Sequence, residues 1–375
     1  MSNLSYNLKG IARMILPRAF AQKQSIGKIA GYFRDFTSQD LELIANRINH
    51  CCKLNKPFNL TPPNLLASQA NTPKPRLSLQ TPTFAFVGQN NLSSKHSSAY
   101  YYDSYQYTRY FADNLIWAYC FGDVNYYLDT PAISKTRPID SVLDSKDSKV
   151  NSSAKSLNAE SLNGGGAECE KSSANSVLLQ LDKNRHFCFF KDKIAYKDKI
   201  DKLIFRGACY QEHRKRFLQM YFNYPKCNIA DTSDKKHNVD FMGAKLSKQA
   251  HCKYKFILSL EGNDVASNLK WVMNSNSLCV MPKPNYESWF MESKLQAGVH
   301  YAEINDDYSN VEAVLDYYLS HAKEAQEIIT NAQKYCANFQ NPRVEEACNL
   351  LVLRKYFYLS GQIDISDNER ELFGL

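Results

Sequence analysis

Gly122-Asp123 follows the apolar run Leu115 to Phe121. A carboxylate at the end of such a strand can take a proton from an attacking hydroxyl. The same position equally suits a helix cap or a turn residue. Arg206-Gly207 follows Leu203-Ile204-Phe205 in a similar way. An arginine emerging there can grip a diphosphate with its planar fork and neutralise a leaving group, or it can form a surface salt bridge. The run Phe256 to Leu260 ends in Glu261-Gly262-Asn263-Asp264. Gly262 would let a backbone approach a ligand closely, and Ser267 could bond a phosphate oxygen. Glu292, within Trp289-Phe290-Met291-Glu292, could hold a sugar or ribose hydroxyl or simply face solvent on a helix. Lys135 and Arg137 form a further basic focus, and Arg185-His186 another. Several basic foci near loops point to a polyanionic ligand such as a nucleotide.

Other chemistries lack their signatures. There is no HExxH, P-loop, GxGxxG or GxSxG motif, and no Asp-x-Asp to hold a divalent ion. His186, His251 and His300 make no metal-ligand spacing, so no metal site is expected. The eleven cysteines are scattered, apart from Cys51-Cys52, and form no CxxC. With no signal-peptide pattern at the N-terminus, they read as free thiols of a cytoplasmic protein. No apolar stretch approaches the ~20 residues that span a bilayer. The 46 Lys+Arg outnumber the 38 Asp+Glu by 8. The 24 tyrosines are not interleaved with a basic run, so nucleic acid is not an expected partner.

These residues need elements to position them. The 375-residue length favours two domains. From Lys199 onward, short apolar runs alternate with amphipathic stretches. Leu203–Phe205, Phe256–Leu260, Leu278–Met281 and Val299–Ile304 read as strands, with helices over His213–Phe222 and about Val265–Asn274. Ser309 and Glu312 have capping-box spacing for a further helix. That succession predicts a parallel sheet with helices on its faces, the ligand lying at the strands' carboxyl ends. The N-terminal half, with strands at Phe84–Gly88 and Leu115–Phe121, reads as a second α/β unit. Residues 140–175 hold nine serines and no aromatic residue, so they read as a flexible insertion. The expected boundaries are 1–198, 199–345 and a helical tail 346–375.

Taken together, several segments resemble glycosyltransferase family 90. They are Arg206-Gly207, His251 to Gly262, Ser275-Asn276-Ser277-Leu278, Trp289 and Val299-His300-Tyr301. The bacterial lipopolysaccharide-core branch is the most similar, on Ser134 to Ile139, Asn175 to Leu179, Arg185-His186-Phe187 and Trp289 to Glu292. The resemblance implies a GT-B architecture, two Rossmann-like domains facing a central cleft. It implies inverting, metal-independent sugar transfer from a nucleotide donor, usually a UDP-sugar, with no cofactor beyond that substrate. It assigns Asp123 as the base. Donor binding falls to Arg206 and Gly207 and to the unit from Glu261 to Lys270, including Gly262, Asn263, Ser267 and Asn268.

One departure stands out. Other branches carry an arginine near Asn268, and Lys270 could replace its charge but not its fork. A non-catalytic nucleotide- or glycan-binding protein that kept the fold is therefore the second reading. The expected acceptor is a lipopolysaccharide-core or other surface glycan. Between residues 8 and 29, Lys9, Arg13, Arg18, Lys23 and Lys28 alternate with apolar residues, broken near Pro17. Such a stretch suits peripheral contact with an anionic inner-membrane face, or an ordinary surface helix.

Overall fold

The computed structural model describes residues 3–60, 82–88, 98–140, 172–234 and 239–375. Most of the serine-rich insertion, 141–171, lies outside the described residues. Contacts divide the chain into two units. One contains residues 16–180, 285–289 and 348–375, and the other 1–15, 181–284 and 290–347.

The first unit holds a four-stranded sheet in the order β1 (Thr83–Phe86), β2 (Ile116–Cys120), β3 (Ala132–Ser134), β5 (Ser176–Leu178). β1 is antiparallel to β2, and the rest run parallel. A separate ribbon pairs β4 (Thr136–Pro138) with β10 (Tyr286–Ser288). The C-terminal segment belongs to this unit instead of standing apart as a tail. Tyr356 accepts from the Ala118 amide and donates to the Pro131 carbonyl. Gln362 bonds both the amide and the carbonyl of Ile116, satisfying backbone groups at the start of β2.

The second unit is built on five parallel strands in the order β11-β9-β8-β6-β7. Their ranges are β6 Ile200–Gly207, β7 Cys227–Asp231, β8 Tyr254–Leu258, β9 Leu278–Met281 and β11 Ala302–Glu303. Central parallel strands are covered on both faces, so they read as continuous apolar runs. All four residues of β9 are buried. Helices Glu212–Tyr221 and Val311–Ser320 contribute Phe217, Leu218, Val311 and Leu315 to the core against Leu203, Phe256 and Leu258.

Three local expectations are corrected. The helix predicted over Val265–Asn274 is only Leu269–Met273, because Asn268 turns back to donate to the Leu258 carbonyl (2.9 Å). The Ser309 capping box does not form. Asp307 captures the Ser309 hydroxyl (2.7 Å) and amide (3.0 Å), Tyr308 has φ 64°, and Asn310 becomes the N-cap. Only Ala302–Glu303 of the Val299–Ile304 strand pairs in the sheet, since Gly298 (φ 72°) turns the chain just before it.

Candidate functional site

From β6 the chain runs to β7 on one side and to β8 on the other, which makes the carboxyl ends of β6 and β8 a topological switch point. In open parallel sheets, ligands lie at such crevices. Gly207-Ala208-Cys209 leaves β6 here, and Ser259 to Asp264 leaves β8. One arginine of helix Glu212–Tyr221 ties the two loops together. Arg214 donates from NH1 to the Ala208 carbonyl (2.8 Å), from Nε to Glu261 (2.8 Å) and from NH2 to Leu260 (2.6 Å). His213 donates from Nε2 to the same Glu261 carbonyl (2.8 Å). Gln211 bonds the Asn263 side chain (2.9 Å). A Cβ at Gly262 would touch the Arg214 guanidinium at 3.5 Å.

Burial lowers the pKa of both Arg206 and Arg214, but only Arg214 ties together the loops leaving β6 and β8. At Arg214 the positive charge of Arg185 acts in the same direction as burial. An anion in the crevice would relieve that cost. Burial also lowers the pKa of His213, with Arg214 contributing, which favours a neutral imidazole. Sequence reasoning missed Arg214 and His213. The signal was available: His213-Arg214-Lys215-Arg216 crowds cations into the start of a helix, where the macrodipole disfavours them.

The structure separates the predicted residues. Glu261, Gly262 and Asn263 meet in this crevice with Gly207, whose own Cβ would strike the Phe205 ring at 2.8 Å. Arg185 joins them through its charge on Arg214 while pairing with Asp182 at 3.5 Å. His186 is buried, with Nε2 3.8 Å from Asp182. Arg206 is placed differently. Its guanidinium bonds the Phe205 carbonyl (2.8 Å) and the Asn228 carbonyl and side chain (2.7 Å each), stitching β6 to β7. Ser267 is half-buried in the turn before the short helix. Asn268 spends its amide on Leu258 and accepts from Ser259 Oγ (3.1 Å), so it serves the end of β8. Lys270 and Glu292 form a wholly buried ion pair, 2.5 Å apart. The Lys270 ammonium also lies 5.4 Å from the Phe290 ring centre. This pair is interior architecture, and Glu292 is not presented to a sugar.

In the first unit, Gly122 (φ 112°) makes the turn that follows β2 and delivers Asp123. That φ favours glycine over any side-chain-bearing residue. Lys135, just beyond the adjacent end of β3, donates to the Asp123 carboxylate at 2.7 Å. The lysine side chain is 2% exposed and the aspartate 32%, so solvent or a substrate reaches the carboxylate and not the ammonium. Thr136 braces the following loop through Val124 (3.2 Å). Arg137 has turned inward. It bonds Glu287 (2.8 Å) and the carbonyls of Ser176 (3.1 Å) and His50 (2.6 Å), pinning strand to helix with no face left for a ligand. Among the described residues, no group of three or more His, Cys, Asp or Glu is placed to hold a metal ion.

A parallel sheet with a cationic crevice at its switch point has the build of a nucleotide-binding α/β domain. Residues 183–357 match Glycosyl transferase family 90. The chain is 38% identical over 266 residues to "O-glucosyltransferase LpsA" of Dichelobacter nodosus, covering 70% of this chain and 73% of that protein. It is 25% identical over 150 residues to "Protein O-glucosyltransferase 1" of Bos taurus and of Homo sapiens, covering 38% of each chain. The protein therefore belongs to glycosyltransferase family 90. It is a glycosyltransferase, which takes a sugar donor and an acceptor.

Proposed function

We propose that this glycosyltransferase is an inverting, metal-independent enzyme of the GT-B type. It moves a glucosyl or related sugar from a UDP donor to a hydroxyl of lipopolysaccharide core or another surface glycan. The likeness to "O-glucosyltransferase LpsA" carries the reading. In it, Asp123 accepts the proton of the acceptor hydroxyl, whose oxygen bonds to the anomeric carbon. The bond from that carbon to the diphosphate oxygen breaks, and the electron pair leaves with UDP. The transition state has oxocarbenium character, with negative charge growing on the diphosphate. Arg214 supplies the fixed positive charge that meets it, preorganised by three carbonyl contacts. Lys135 orients the Asp123 carboxylate toward the acceptor.

The test is UDP release from a panel of UDP-sugars, with and without a lipopolysaccharide extract and with divalent ions chelated. Acceptor-stimulated release from one donor, abolished by Asp123→Asn with UDP binding retained, supports the reading. Activity that survives Asp123→Asn removes the base assignment. Failure to bind UDP removes the donor.

A further inference from the structure

We infer that each of the two N-terminal helices presents a face that docks on anionic lipid. Helix Asn3–Ile15 places Leu8, Ile11 and Ile15 on one stripe, at the i, i+3, i+7 spacing of an amphipathic helix. Such a stripe ordinarily faces the core. Here it faces outward, with Leu8 57%, Ile11 44% and Ile15 76% exposed. Helix Arg18–Asp35 also turns apolar side chains outward. Ala21, Ile29 and Tyr32 are buried, while Phe20 and Ile26 are 63% and 80% exposed on either side of Lys23. Exposed apolar side chains on this scale mark interaction surfaces, and each helix carries its own.

Charge identifies the occupant. Residues 1–34 contain no Asp or Glu and six basic residues. Arg18 is committed to Asp113 (2.6 Å) and to the Thr108 and Phe111 carbonyls, and Arg34 pairs with Asp35. Lys9 and Lys23 are exposed beside the apolar stripes, and Arg13 is half-buried there. A second copy of this chain would bring these cations against themselves. An anionic bilayer accepts cations at its phosphates and apolar side chains just beneath them. No helix among the described residues is long and apolar enough to cross a membrane, so the contact is made from one side. The inference does not depend on the identity of donor or acceptor.

The test is co-sedimentation of the full chain with vesicles of phosphatidylethanolamine and phosphatidylglycerol in equal parts, compared with phosphatidylcholine alone. Each cation near an anionic surface strengthens binding about fivefold, so Lys9, Arg13 and Lys23 together give about a hundredfold preference for the anionic vesicles, lost in high salt. The variant Lys9→Gln/Arg13→Gln/Lys23→Gln should lose that preference. Leu8→Ser/Ile11→Ser/Phe20→Ser/Ile26→Ser should stop sedimenting while its thermal midpoint stays that of the parent. Three results overturn the inference: a parent that ignores anionic vesicles, an apolar variant that sediments like the parent, or light scattering that shows the apolar variant dissociating a dimer.

Discussion

Arg214→Lys tests the proposed donor site directly because it keeps the charge and removes the fork. Arg214 makes three charge-assisted bonds to the Ala208, Leu260 and Glu261 carbonyls. A lysine ammonium can reach one of these at best, since it is a point charge on a flexible stem. Two bonds are lost. At the lower end of about 1.5 kcal/mol for a hydrogen bond to a charged group, the cost is about 3 kcal/mol. Spent as disorder in the two loops that frame the crevice, this would raise donor KM and UDP Kd by about a hundredfold, at about 1.4 kcal/mol per tenfold. Isothermal titration with UDP and initial rates at varied donor supply both numbers. Arg206→Lys is the control. It breaks contacts to Phe205 and Asn228 that join β6 to β7, so it should lower thermal stability and leave donor KM unchanged. If Arg206→Lys raises donor KM and Arg214→Lys does not, the crevice assignment fails.

Three other outcomes follow from the same geometry. Asp123→Asn should lower kcat by about a hundredfold or more, the usual scale of general-base loss, with UDP affinity intact by titration. Lys270→Met should cost about 3–5 kcal/mol in urea denaturation by stranding Glu292 in the interior, and Lys270→Met/Glu292→Met should recover most of it. Burial lowers the pKa of His213, His251 and His300 below the ordinary 6.5. Their contribution to stability is therefore fully present above about pH 6.5 and is lost as pH falls through the lower folded values, because the unfolded chain takes up protons first. The thermal midpoint should begin to fall just below pH 6.5, and His251→Gln should shallow that fall.

The parallel sheet was legible because its central strands are apolar on both faces, and Leu278–Met281 coincides with β9. The end of β8 was legible at Glu261-Gly262-Asn263, where a strand stops at a glycine. The proposed donor site departs from the sequence reading in its arginine. Successive strand residues point to opposite faces, so a side chain next to Gly207 is not on the face of Gly207. Phe205 and Gly207 share one face, and Arg214 lies over the Phe205 ring with its guanidinium 6.0 Å from the centre. Arg206 is directed to Asn228 instead. Arg214 stayed hidden because its helix reads as a solvated charged face. The short helix after β8 and the failed capping box have a common cause. Asn268 and Asp307 chose local partners that spacing does not reveal.

Two things set Arg214 apart from the structural cations, the kind of oxygen that holds it and its place; Arg206 is also held by neutral oxygens, but it joins β6 to β7 and not the two loops. Arg137 is matched by Glu287 and Lys270 by Glu292, each inside the protein, so their charge is already neutralised. Lys135 is matched by Asp123, but that carboxylate is a third exposed and the pairing fixes its direction. Arg214 differs from all three, since its bonds to Ala208, Leu260 and Glu261 go to peptide carbonyls. Carbonyl dipoles hold the guanidinium in place without cancelling its charge. A leaving group that gains negative charge during the reaction needs that kind of partner, one already oriented before the bond breaks. The same three contacts make the residue costly to replace, because they fix both loops and the charge between them at once.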